Sequence, residues 1–140
     1  MRNGSLASER GRPRRGFTLI EILIVMTIIS ILVSIAVPMY QKAILRAKES
    51  LLRSNLFTLR SMIDEYTYDK QKAPPSLDDL VSEGYLRQVP TDPITGSNNT
   101  WKVIMEDATS SVSQTEPGIW DVRSGSDKSS PLDGTVYAEW

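Results

Sequence analysis

An α+β fold, with one long N-terminal helix carrying a small β-sheet, is what this sequence predicts, and three observations predict it. Apolar residues run almost unbroken from 17 to 37; apolar positions at helical spacing continue from Ile44 to Tyr66; short β-type runs follow only after Ala73, Pro74 and Pro75. Residues 17–37 are about long enough to cross a hydrocarbon core as a helix. Thr18, Glu21, Thr27, Ser30 and Ser34 alone interrupt them. Arg2, Arg10, Arg12, Arg14 and Arg15 stand just before the span, and basic residues there hold that end on the cytoplasmic side. A signal-peptidase substrate would show a shorter apolar core and a small-residue cleavage site. Pro38, Met39 and Tyr40 follow instead, so the span is expected to stay attached.

Beyond the span, Ile44, Ala47, Leu51, Leu52, Leu56, Leu59, Ile63 and Tyr66 form an apolar stripe, with Lys42, Arg46, Lys48, Glu49, Arg53 and Arg60 around it. One helix over 17–69 would run roughly 80 Å. Pro38 falls inside it, removes a backbone donor and invites a kink, or else divides two helices. The stretch 76–84 reads as a short helix, with Ser76 as N-cap, Asp79 three residues on and Gly84 as stop. The stretch 91–96, with Asp92, Pro93 and Gly96, reads as a turn. Candidate strands lie at 101–105, Ile119–Arg123 and 135–137, and the polar segment 106–117 connects the first two. The organisation is thus 1–16 before the span, 17–37 in the membrane, 38–72 as the helical continuation and 73–140 as a small globular part.

Composition narrows the function. There are no cysteines and no histidines among the 140 residues, so disulfides, thiol nucleophiles, zinc sites and histidine catalysis are all excluded. The formal charge is −1, and residues 1–16 carry +4, which leaves −5 on the remainder and no basis for binding nucleic acid. The adjacent acids Asp64 and Glu65, Asp78 and Asp79, and Glu106 and Asp107 point in different directions on a helix or strand and make poor acid/base partners. They read as solvated faces. Gly125 and Gly134 form no phosphate-cradling pattern. Trp101, Trp120 and Trp140 read as core or subunit packing rather than a binding surface. The expectation is a structural protein, not an enzyme.

Glu21 is the anomaly, because a carboxylate within a span costs roughly 2.5 to 3.5 kcal/mol on insertion scales. The run Arg15, Gly16, Phe17, Thr18, Leu19, Ile20, Glu21 resembles the class III leader of type IV pilins and pseudopilins. That resemblance implies cleavage between Gly16 and Phe17 by a prepilin peptidase, with removal of 1–16 and N-methylation of Phe17. The new amine would lie one helical turn from Glu21, and a neighbouring subunit's amine could meet the carboxylate in a packed bundle. The alternative is a glutamate that snorkels out or is protonated.

The order Pro74, Ser76, Leu77, Leu80; Gly84, Tyr85, Leu86; Val89, Pro90, Asp92, Pro93, Gly96; Trp101; Trp120, Asp121, Val122, Ser124 to Asp127; and Trp140 is similar to the major pseudopilins of type II secretion. Surface-fibre pilins commonly close their C-terminal region with a disulfide, which this chain cannot form. The resemblance implies a helix packed on an antiparallel sheet and a kink at Pro38. It also implies an inner-membrane single-pass subunit with its C-terminal part in the periplasm, and a homo-polymeric filament working with an assembly platform, its ATPase and minor pseudopilins. A surface pilus, or a membrane anchor that never polymerises, is the competing expectation.

The C-terminal loop holds the only ligand chemistry in view. Asp127 and Asp133, with Ser124 and Thr135 and turn carbonyls, are hard oxygen donors suited to calcium. The resemblance implies a structural calcium there. Lys128 and Thr135 depart from the family pattern, and an ordinary turn capped by Asp127 is the other expectation.

Overall fold

The computed structural model describes residues 16–107, 109 and 116–140. Its elements are α1 (Leu19–Lys70), α2 (Leu77–Ser82), β1 (Lys102–Met105), β2 (Ile119–Arg123) and a 3-10 turn at Tyr137–Glu139. The chain divides into two compact units, Met1–Gln41 and Lys42–Trp140, and most of the leader lies outside the described residues.

In the first unit, α1 begins where Thr18 caps it: the Thr18 hydroxyl accepts from the Glu21 N–H at 3.3 Å, and the Thr18 carbonyl takes the Ile22 N–H at 3.2 Å. The hydroxyls of Thr27, Ser30 and Ser34 donate to the carbonyls of Leu23, Met26 and Ile31, each at 2.7 Å. Three of the four hydroxyl groups in the apolar stretch thereby satisfy themselves within the helix, which lowers the cost of placing them in lipid. Helical geometry continues through Pro38 without a break. The alternative of two separate helices is thus removed. The large apolar side chains from Leu19 to Val37 are all exposed, and among the described residues α1 is the one helix long and apolar enough to span a membrane.

In the second unit, Leu52, Leu56, Leu59, Ile63 and Tyr66 of α1 are buried, at the 3.6-residue spacing the sequence predicts. They pack with Leu80, Trp101, Ile119, Val122 and Tyr137 to form one core. Ile44 and Leu51, placed in the stripe from sequence, are exposed instead, because the globular residues cover α1 only on the side that Leu52 and Leu56 present. The helix ends at Lys70, and Gln71 turns the chain with φ 55°, donating its side-chain amide to the Tyr68 carbonyl. In α2, Ser76 takes the Asp79 N–H at 3.2 Å and donates to the Asp79 carboxylate at 2.7 Å. Gly84, at φ +85°, follows α2 in the left-handed region that glycine tolerates best.

Strands β1 and β2 pair antiparallel, Val103 opposite Val122 and Ile104 opposite Asp121, with a bulge between Ile104 and Met105. They form a two-stranded sheet. The third strand expected at 135–137 does not form. Val136 makes a single bridge to Ser129, and Tyr137 then enters the 3-10 turn. The phenol of Tyr137 is drawn to a buried carboxylate on α1, so tertiary contact overrides its β-propensity.

Candidate assembly site and C-terminal loop

Phe17 is 78% exposed, and Glu21 sits one turn away in the first turn of α1. A carboxylate there is favoured by the positive end of the helix dipole. Glu21 is also the single charged residue between Gly16 and Gln41, and among the described residues no cation pairs with it. An apolar helix with one unpaired acid near its start offers a charge to a partner.

The C-terminal loop is organised by groups that local sequence patterns do not reveal. Asp92 is fully buried. Its Oδ1 accepts from the N–H groups of Ile94 at 2.8 Å and Thr95 at 3.3 Å, and its Oδ2 from the Ser124 hydroxyl at 2.6 Å and the Gly125 N–H at 3.3 Å. One carboxylate therefore builds the 92–96 turn and fastens the residues after β2 to it. Gly125 passes so close to Thr100 that a Cβ would lie 1.8 Å from the Thr100 carbonyl oxygen; only glycine fits.

Glu49, read from sequence as part of the charged surround, is buried. Its Oε1 accepts from the Ser130 hydroxyl at 2.6 Å and the Tyr137 phenol at 2.7 Å. Burial and the Glu49 hydrogen bond push the phenol of Tyr137 up to about 12. Arg60, also placed at the surface, donates to Asp121 at 2.8 Å, to the Val122 carbonyl at 3.0 Å and to the Trp140 carbonyl at 2.8 Å. These long-range contacts hold the last dozen residues on α1. The only sequence signal for Glu49 was its place three residues before Leu52, on the flank of the apolar stripe.

The expected calcium ligands have other engagements. Asp127 pairs with Lys102 of β1. Asp133 accepts from the Thr135 hydroxyl at 2.6 Å and N–H at 3.0 Å and faces Arg53 at 3.4 Å. Thr135's hydrogen bonds, with help from Arg53, hold the Asp133 carboxyl below the usual carboxylate range. The Ser124 hydroxyl is turned inward to Asp92, and that of Thr135 also takes the Trp140 indole N–H at 2.7 Å. Among the described residues no three acidic side chains group as a metal site. Protein cations therefore already meet both acids, Lys102 at Asp127 and Arg53 at Asp133.

The three tryptophans differ. Trp101 is buried, its indole donating to the Pro90 carbonyl at 2.7 Å. Trp140 packs edge-on to Tyr137 with the Arg53 guanidinium over its ring. Trp120 is 67% exposed.

A membrane-length helix headed by a methylation-type motif and running into a small α+β unit defines a pilin-like subunit. Residues 11–37 match the prokaryotic N-terminal methylation motif. The chain is 31% identical to the type II secretion system core protein G of Dickeya chrysanthemi, over 59% of this chain and 64% of that protein. It is 31% identical to the protein of that name from Klebsiella michiganensis, over 60% of this chain and 70% of that one. It is also 43% identical to the type IV major fimbrial protein FimA of Dichelobacter nodosus, over 43% of this chain and 38% of that protein. No solved structure matches the chain significantly. The chain belongs to the type IV pilin-like family, with type II secretion system core protein G among its relatives.

Proposed function

We propose that this chain is the structural subunit of a periplasmic pseudopilus that acts as a piston in type II protein secretion. The observation that carries the reading is Glu21, without an ion-pair partner among the described residues, one turn from Phe17 in an otherwise uncharged apolar span, in a chain similar to core protein G over 59 to 60% of its length. The subunit waits in the inner membrane with its start in the cytoplasm and residues 38–140 in the periplasm. A prepilin peptidase removes residues 1–16 and methylates Phe17; an inner-membrane platform and its ATPase then add subunits beneath minor pseudopilins. Intact-mass measurement of the membrane-extracted protein should give a chain beginning at methylated Phe17. Recovery of the uncut chain from cells with active peptidase rejects the assembly reading and leaves a simple anchor.

The fimbrial relatives favour a second reading, the major pilin of a surface fibre for adhesion, motility or DNA uptake. Deletion of the gene separates the two. Loss of secreted folded proteins supports the piston, and loss of surface fibres supports the pilus.

Calcium in the C-terminal loop is a separate proposal, and binding there would have to take Asp127 from Lys102 and Asp133 from Arg53. The chain is then expected to melt several degrees higher in calcium than in chelator, since a ligand at a hundred times its dissociation constant adds about 2.7 kcal/mol. Equal melting temperatures would reject the ion.

Stability should also fall at alkaline pH. The unfolded phenol of Tyr137 loses its proton near 10.0, whereas the folded one keeps it to about 12. The folded state therefore binds more protons in that window. Its contribution is complete below pH 10 and is lost as pH rises through 12. Denaturant melts across pH 9 to 12 check this, and Tyr137→Phe should flatten that part of the profile.

A further inference from the structure

A cleft of about 630 Å³ opens between α1 and the sheet, with Ile63, Ile104 and Ile119 among its lining and Asp64, Glu106, Asp107 and the exposed Trp120 around it. Glu106 Oε2 is buried there with no hydrogen-bond partner among the described residues. An acidic, partly apolar cleft of this kind suits the long stem and charged head of a basic side chain. It does not suit a bare metal ion, because these acids do not group as metal ligands.

The chain itself carries matching cations. Lys42 and Arg46 lie one turn apart on α1, both exposed and both without an acidic partner among the described residues. Arg53 and Arg60, further along the same helix, are already paired with Asp133 and Asp121. Lys42 and Arg46 cannot reach their own chain's cleft along a helix, since the twenty residues between their midpoint and Asp64 span about 30 Å.

We propose that the cleft receives the Lys42 and Arg46 side chains of a second copy of this chain, displaced by about 30 Å along the filament axis. Two different patches on each copy make the contact heterologous, and a heterologous contact whose rotation does not close, as an axial displacement ensures, propagates into an open filament. The proposal rests on the polymeric reading above and adds which surfaces meet. Opposite charges across such a contact also fix register and reject wrong alignments.

The test uses the full chain with its peptidase and assembly machinery. The protein has no cysteine, so Arg46→Cys with Asp64→Cys introduces the only thiols. Those positions are about 27 Å apart within one α1, far beyond the roughly 7 Å Cα limit for a disulfide, so every bond must join two copies. Oxidation of assembled filaments is expected to give a ladder of covalent multimers, absent when Glu21→Ala is added. Asp64→Lys alone, and Lys42→Glu with Arg46→Glu, should each cut filament yield about tenfold or more, and combining the reversals in one chain should restore most of it. Normal filaments with no ladder, or with both reversals harmless, overturn the proposal. If the Lys42 and Arg46 reversal only weakens retention in membranes, these cations serve lipid phosphates and the proposal is equally overturned. Failure of the unaltered chain to polymerise at all would reject the underlying function instead.

Discussion

Asp92→Ala should destabilise the globular unit by about 3 to 5 kcal/mol, the range for removing one side of a buried, fully hydrogen-bonded charge. The carboxylate is fully buried and has no ion-pair partner among the described residues. Its charge is carried by four donors: the N–H groups of Ile94, Thr95 and Gly125 and the hydroxyl of Ser124. Alanine would leave these groups facing an apolar gap, each unsatisfied buried group costing about 1 to 3 kcal/mol before relaxation. Asp92→Asn should cost less. It keeps an acceptor for the 94 and 95 amides, but its NH₂ would meet the Gly125 N–H, donor against donor. Thermal melting of the full chain in detergent checks both, with a fall of about 12 °C or more expected for alanine. An alanine variant within about 1 kcal/mol of the parent would show that the hub matters little, since ordinary surface substitutions fall within about half that.

The contrast between Asp92 and Glu21 marks how much the sequence could disclose. Periodicity over fifty residues is a strong signal, so α1 was legible almost to the residue, and the Ser76 cap located α2. The strands β1 and β2 were legible because their short apolar runs are bounded by polar or glycine residues. What escaped depends on distant partners. Asp92 was readable as a turn former, but Ser124 lies 32 residues on. Glu49 looked like surface charge because Ser130 and Tyr137 meet it from 81 and 88 residues away. The ion pairs of Asp127 and Asp133 were hidden too, because Lys102 and Arg53 come from other elements. Tyr137 failed as a strand residue for the same reason. Glu21 was legible because its meaning is local, an acid where lipid tolerates none.

Glu21→Ala is expected to leave expression, membrane insertion and processing at Gly16 and Phe17 unchanged while reducing filament yield about 100-fold or more, the effect of losing a buried pair worth 3 kcal/mol or above. Removing the acid makes the span easier to insert, by at most the roughly 2.5 to 3.5 kcal/mol that insertion scales give for a charge at the centre of a span. A defect in assembly therefore cannot be blamed on a poorer membrane helix. Thr18 capping needs only the Glu21 backbone N–H, so the start of α1 is retained as well. What alanine deletes is the single charge between Gly16 and Gln41, and with it the partner for the amine at Phe17 of a neighbouring subunit. Glu21→Gln keeps the size and hydrogen-bonding capacity but not the charge, and should assemble as poorly as alanine if charge pairing governs the step. Shearing or pelleting measures filament yield, and intact mass of the membrane fraction confirms that each variant is cut and methylated. Wild-type filament levels from both variants would sink the pairing, and a rescued glutamine alone would assign Glu21 a hydrogen-bonding role in its place.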